Sequence, residues 1–247
     1  MGTPKAALEW HGSTLLRRTV GIVARAANGP VVVVRATGQD LPELPEGTLV
    51  ADDPREGKGP VQGIAAGLAA LSGRAEVAFV SSTDMPFLHP AFIRAVLGAL
   101  TGDVALPVAR GHRQPLAAAY RVGLAPAVGA LLAEGGRTPG ELFARSRVTV
   151  LDDPALRADP AVARLDPELD SLTNVNTPAE YAAARARPPA PVVVEHAGSR
   201  HTVRAATLAE ALAAVGWRPG STVILNGARV APDPGLPLVA GDALVLR

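Results

Sequence analysis

Apolar positions along the first three quarters of this chain alternate between two rhythms. Residues 31–34 are four consecutive valines, the run expected of a strand covered on both faces. Residues 48–51 form a second strand-like piece that runs into Asp52, Asp53 and Pro54. Val61, Ile64, Leu68 and Leu71 then recur at helical spacing. Residues 77–80 read as another buried strand, ending at Ser81-Ser82-Thr83-Asp84. Pro90 opens a helix with Phe92, Val96, Leu97 and Leu100 on one face, a first-turn position that suits proline. Residues 104–108 and 117–120 predict later strands, and 124–133 a short helix. Thr177-Pro178-Ala179-Glu180 reads as a capping box with proline at the first helical position. This alternation predicts an α/β domain with a mainly parallel sheet.

A break follows over residues 184–191, Ala-Arg-Ala-Arg-Pro-Pro-Ala-Pro, where the closely spaced prolines favour an extended linker. Beyond it the rhythm is shorter. Residues 192–194 predict a strand, 198–200 a turn and 201–204 a return strand. Thr207 and Glu210 form another capping box ahead of the stripe Leu208, Leu212 and Val215. Residues 222–225 predict a strand closed by the tight-turn pair Asn226-Gly227, and 243–246 a last strand. The expected organisation is a large domain over 1–187 and a small α+β module over 188–247, of β-grasp pattern.

Composition narrows the function classes. Hydrophobic residues make up 48% of the 247 and charged residues 19%, which suits a packed globular protein. The net charge of +1, with arginines scattered along the chain, gives no field for a nucleic acid. The chain has no cysteine, which excludes disulfides, cysteine-ligated zinc, iron–sulfur clusters and thiol catalysis. The five histidines show no metal-ligand spacing and read as surface or loop residues. Without a long apolar run or a leader, a cytoplasmic protein with no membrane partner is the expectation.

Open α/β sheets bind ligands beyond the carboxyl ends of their strands, and the acidic residues fall there. Asp52 and Asp53 follow one strand, and Asp84 follows another. A carboxylate at a strand end, followed by Met85 and Pro86, suits a hard divalent cation, since Mg²⁺ takes one or two carboxylates plus phosphate oxygens. Lys5, in the opening Met-Gly-Thr-Pro-Lys, is a point charge suited to phosphate. Asn174 and Asn176, at alternate positions before a helix start, are amides within reach of a ligand or ion.

Taken in order, Met-Gly-x-x-Lys5, Asp84-Met-Pro-Phe and Asn174-Val-Asn176-Thr-Pro resemble the MobA-like nucleotidyltransferases, which include the molybdenum cofactor guanylyltransferases. Gly59-Pro60-Val61-Gln62-Gly63-Ile64 is similar to that family's Gly-Pro-x-x-Gly-Ile helix start, and residues 113–121 to a later strand. The resemblance covers about residues 1–187. It implies a Rossmann-like nucleotidyltransferase domain in which Asp84 binds Mg²⁺ and Lys5 contacts nucleotide phosphate. It further implies that Asp53 lies near the guanine or ribose, that Asn174 and Asn176 line the acceptor region, and that Gln62 lies near the acceptor phosphate. The implied reaction moves GMP from GTP to molybdopterin and releases pyrophosphate. A cytidylyltransferase, another phosphorylated acceptor, or a degenerate scaffold protein are the alternatives.

Two departures bear on this. The family carries a strand and a loop, Leu-Ala-Gly-Gly-x-Ser-x-Arg, ahead of its Met-Gly, whereas this chain starts at Met1-Gly2. The strand would lie centrally in the sheet, so a start upstream of Met1 is the expectation, and weak or absent NTP binding is expected of the chain as written. Arg35 stands where some guanylyltransferases have an amide, which leaves the base open. The tail resembles the sulfur carriers of the thiamine and molybdopterin pathways, but it ends Leu244-Val245-Leu246-Arg247 rather than Gly-Gly. It is therefore expected to serve as a structural or docking module, with a pathway protein as a possible partner.

Overall fold

The computed structural model describes residues 4–53, 59–217 and 222–247. The chain enters through a short hairpin, β1 (Glu9–Trp10) and β2 (Ser13–Thr14), and then α1 (Leu15–Ala26). Next come β3 (Val32–Ala36), β4 (Leu49–Asp53), α2 (Pro60–Leu71), β5 (Val77–Ser81) and α3 (Pro90–Gly98). These are followed by β6 (Val104–Ala109), β7 (His112–Arg113), β8 (Ala117–Arg121), α4 (Ala125–Ala133), α5 (Pro139–Phe143) and β9 (Val148–Asp152). Helices α6 (Asp153–Arg157), α7 (Pro160–Leu165) and α8 (Pro178–Ala186) complete this part. The remainder is β10 (Pro191–His196), β11 (Ser199–Arg204), α9 (Leu208–Ala214), β12 (Val223–Leu225), β13 (Ala228–Val230) and β14 (Ala243–Leu246).

The larger part is an α/β fold with mainly parallel strands. β3 pairs in parallel with β4, and β6 in parallel with β9, while β8 runs against both β5 and β6. Its apolar core has two halves, one on each face of the sheet. Ile22 of α1 and Phe92, Ile93 and Val96 of α3 fill one half, and Ile64 and Leu68 of α2 with Val128 and Leu131 of α4 fill the other. Each such aliphatic side chain removed from water contributes roughly 1.5–3 kcal/mol. The periodicity placed most of these elements to within a residue or two. It missed α1, because Arg17, Arg18 and Arg25 interrupt its apolar face. It also missed β9, whose Val150 is exposed.

The second part is a five-stranded sheet in the order β11-β10-β14-β12-β13, with β10 parallel to β14 at its centre. Helix α9 covers it through Leu208, Ala211 and Leu212. Asn226 and Gly227 both have positive φ, 51° and 85°, as a two-residue hairpin turn requires. The break begins later than the prolines alone suggested, because α8 carries Ala184 to Ala186. Thr207 caps α9 as expected, but the returning Glu210 carboxylate accepts from Ala206 N at 2.7 Å instead of from Thr207.

The two parts meet over α1. Arg18 is buried and donates to Pro86 O at 2.8 Å, Ala206 O at 3.2 Å and Leu238 O at 3.5 Å. Burial lowers its guanidinium to about 10, so it remains charged at neutral pH. Arg25 pairs with the buried Asp242, at 2.5 and 3.0 Å, and Asp242 also accepts from Asn226 Nδ2 and Val239 N, each at 2.8 Å. His89, expected on the surface, is instead buried here. Its Nδ1 accepts from Ala91 N and its Nε2 donates to Ala240 O, both at 3.0 Å, which makes it a helix cap facing the second sheet. Burial lowers its pKa and favours the neutral ring that these two bonds need.

Replacing Arg18 by Met is expected to leave three inward carbonyls without their donor and to cost about 3 kcal/mol. Urea unfolding followed by tryptophan fluorescence would show it as a lower midpoint. Asp166, only 5% exposed, is pushed up by burial to about 6. Its neutral form favours the fold fully below the ordinary carboxyl range, and that contribution is lost as pH rises through about 6. Asp166→Asn is therefore expected to be more stable than the parent at pH 7.5, by on the order of 2–3 kcal/mol. The gap should close toward pH 4, as thermal unfolding across that range would reveal.

Candidate active site

Strand β5 ends at Ser81, and the chain turns through Ser82 and Thr83 to Asp84. Three consecutive residues hold that turn in place. Met85 is buried in the core, Pro86 O accepts from Arg18, and Phe87 packs edge-on against Trp10 with ring centroids 5.7 Å apart. Arg187 lies over the Phe87 ring at 4.0 Å and pairs with Asp170 at 2.5 Å. Asp-Met-Pro-Phe is thus a polar residue followed by three anchors, which explains how one exposed-type side chain is held at a strand end.

Around Asp84 the structure gathers residues from both ends of the larger part. Lys5 Nζ lies 2.8 Å from Asp84 Oδ2 and 2.7 Å from Asn176 Oδ1. Ser82 Oγ donates to Asp84 Oδ1. The backbone adds a clamp, since Val175 N donates to Asp84 O at 2.9 Å. Val175 itself is buried with Trp10, Leu15 and Ala184. Alternation along residues 174–176 therefore sends Val175 inward and leaves Asn174 and Asn176 exposed. Thr177 and Glu180 form the expected capping box at the start of α8, and the Glu180 carboxylate accepts from both Asn176 N and Thr177 N at 2.8 Å. Those backbone donors hold the Glu180 carboxyl below the usual range.

The other expected residues lie at different places. Asp53 ends β4 opposite Ala36 of β3 and borders a large cavity between β3 and β5. Its neighbour Asp52 is bound to Arg35 at 2.8 Å, so Arg35 is engaged by a carboxylate of the adjacent strand. Gln62 is buried in the first turn of α2, and no contact joins it to the Lys5–Asp84–Asn176 group. Asn174 lies beside the group, two residues from Asn176, and faces solvent. Met1 to Thr3 and Pro54 lie outside the described residues. Ser82 was not singled out from sequence. Its position two residues before a strand-end aspartate, within reach of that carboxylate, is the signal that would have found it.

The oxygen donors converging here are the Asp84 carboxylate, the Ser82 hydroxyl and the Asn176 amide oxygen. Such a hard donor set fits a Mg²⁺ ion that keeps positions for water and phosphate. Among the described residues no group of three or more His, Cys, Asp or Glu is placed to hold a metal, so a cation here would rest on one carboxylate.

Comparison with known proteins agrees with the fold. The structure superposes on a molybdopterin-guanine dinucleotide biosynthesis protein A from Archaeoglobus fulgidus with a TM-score of 0.56 at 20% identity, over 74% of this chain and 90% of that one. A 4-diphosphocytidyl-2C-methyl-D-erythritol synthase from Anaerococcus prevotii aligns with a TM-score of 0.53 at 14% identity, over 72% and 87%. The fold is thus that of the nucleotidyltransferases. The profile of the MobA-like NTP transferase domain matches residues 1–150. A relative from Mycobacterium avium described as "Probable molybdenum cofactor guanylyltransferase" is 36% identical over 194 residues, 76% of this chain and 90% of that one. A "Molybdenum cofactor guanylyltransferase" from Desulfosudis oleivorans is 29% identical over 187 residues, 75% and 87%. The chain belongs to the MobA-like NTP transferase family. No helix among the described residues is long and apolar enough to cross a membrane.

The Glu180 bonds make a pH prediction for this corner. Glu180 has a depressed carboxyl, so its bonds hold above the ordinary range and are lost as pH falls through its folded value. Amide exchange at Asn176 and Thr177, corrected for the intrinsic rate, is expected to quicken as pH drops below about 4. Glu180→Ala should show that faster exchange already at pH 7, with β5 amides unchanged.

Proposed function

We propose that this protein is a Mg²⁺-dependent guanylyltransferase that moves GMP from GTP to molybdopterin. The observation that supports the reading is the meeting of Lys5, Asp84 and Asn176, from positions 171 residues apart, in a family whose relatives carry the guanylyltransferase name. In this reading Asp84 anchors Mg²⁺, with Ser82 orienting the carboxylate. Bound there, the ion supplies positive charge against the phosphate oxygens. Lys5 releases Asp84 and turns to a phosphate oxygen of the nucleotide, a change its partly exposed stem allows. Asp53 contacts the ribose or base, Asn174 and Asn176 orient the acceptor, and Gln62 stands toward the acceptor phosphate.

The reaction needs little proton chemistry. An oxygen of the acceptor's ionised phosphate bonds to the α-phosphorus of GTP, the bond from that phosphorus to the bridging oxygen breaks, and pyrophosphate leaves with the electron pair. Alignment and charge neutralisation carry the rate. The second sheet, with its hairpin, parallel central pair and single helix, reads as a β-grasp module that docks a pathway protein. A cytoplasmic location fits both substrates.

Isothermal titration with GTP and with CTP, each with and without Mg²⁺, tests the reading. GTP is expected to bind only with Mg²⁺, and Asp84→Ala to weaken it by roughly tenfold or more. A preference for CTP would replace the guanylyl assignment while keeping the transferase. Absence of nucleotide binding in parent and variant alike would sink the enzymatic reading of this chain.

A further inference from the structure

The five-stranded sheet of the second part has two unlike faces. Side chains alternate between them along each strand. One set, Val192 and Val194 of β10, Val223 and Leu225 of β12, and Leu244 and Leu246 of β14, is buried beneath α9. The other set points to the opposite face, whose middle is aliphatic. Val193, Ile224 and Val245 lie there half-buried, with Ala243 exposed beside them. The register draws one row across all five strands, through Arg200, Glu195, Val245, Ile224 and Arg229. A second row carries Thr202, Val193 and Ala243, and beyond it Arg204 stands opposite Pro191. No residue of these rows is buried.

Charge is divided between the two faces. Of the carboxylates of the second part, Asp233 pairs with Arg17 at 2.9 Å and Asp242 with Arg25 at 2.5 Å. Glu210 accepts from Ala206 N at 2.7 Å and lies 4.0 Å from His11. These three are turned toward α1 and the entry hairpin of the larger part. Glu195 alone remains on the open face, opposite Arg200. Arg200, Arg204 and Arg229 are exposed there. Arg204 donates to Pro189 O at 2.9 Å, and among the described residues no ion pair engages any of the three. The face is therefore an aliphatic middle between basic flanks, and its field is complementary to carboxylates.

We propose that this open face docks a protein whose own surface presents carboxylates around an aliphatic patch. The inference rests on the reading of the second sheet as a docking module, and it names the face and the chemistry of the partner. An apolar centre with arginine beside it is the makeup of a protein interface. A nucleic acid fits less well. Arg200 and Arg229 stand on the two outer strands, four strand spacings or about 19 Å apart. Val245 and Ile224 lie between them, and the rows hold no aromatic ring on which a base could stack. Along the six-residue strands β10 and β11 the face measures about 20 Å. Its area of about 400 Å² is half of the roughly 800 Å² per partner of a standard interface. The association is therefore weak and sensitive to salt.

The test titrates the ¹⁵N-labelled full chain with an amphipathic helical peptide that has leucines along one face and glutamates on both flanks. GTP and Mg²⁺ take no part, so the outcome is separate from that of the nucleotide reading. Amide shifts are expected at Val193, Ile224 and Val245, and none at Ala209 and Ala213 on the outer side of α9. Raising the salt from about 50 to about 300 mM is expected to weaken binding several-fold. Arg200→Gln with Arg229→Gln is expected to weaken it roughly fivefold or more, at an unchanged unfolding temperature. A twin peptide with lysine in place of glutamate is expected not to bind. Equal binding by that twin would mean unspecific apolar contact and would overturn the proposal. Silence of the three amides toward the acidic peptide would overturn it as well. So would a single-stranded oligonucleotide that shifts them at lower concentration than the acidic peptide does. Shifts that grow with protein concentration and need no peptide would assign the face to a second copy, and the proposal would fall.

Discussion

The guanidinium of Arg18 sits where three separate stretches of chain must agree. It rises from α1, holds Pro86 directly after the Asp84-Met85 turn, and reaches Ala206 and Leu238 in connections of the second part. A buried charge bonded only to carbonyl oxygens tolerates little displacement, because each lost bond leaves both a donor and an acceptor uncompensated. The position of Asp84 and the seating of the second sheet are therefore mechanically linked through one side chain. Arg25 with Asp242, and His89 with Ala240, reinforce the same contact from either side. Whatever docks on the second sheet acts on a surface that shares a helix with the candidate active site.

That helix also walls the large cavity between β3 and β5. The larger part of the fold therefore has two unequal halves. The half built on β5, β8, β6 and β9 is closed by hydrogen bonds across every internal edge. The half built on β3 and β4 is joined to it by helices rather than by a continuous sheet. Asp53 belongs to the open half and Asp84 to the closed one.

Much of this was legible in the chain. The valine run, the strand-end aspartates, the Pro90 and Pro178 helix starts and the Asn226-Gly227 turn each rest on a local rule, and each was found where the rule places it. Family membership was legible because the short motifs occur in order. The failures share a physical cause. Helix α1 hides behind its arginines because Arg18 is buried, and Arg25 half-buried, by a part of the chain more than 180 residues away in sequence. His89 reads as a loop residue for the same reason.

By itself the sequence determined the α/β class, most of the element types and which side chains are of a type suited to phosphate, because those depend on periodicity, caps and side-chain type. Only the tertiary structure decided that Lys5, Asp84 and Asn176 share one corner, that Ser82 belongs with them, and that Asp53 stands apart at the end of β4. These are long-range facts. They depend on which strand edges pair and which charges are buried, and neither is encoded within any local window of residues.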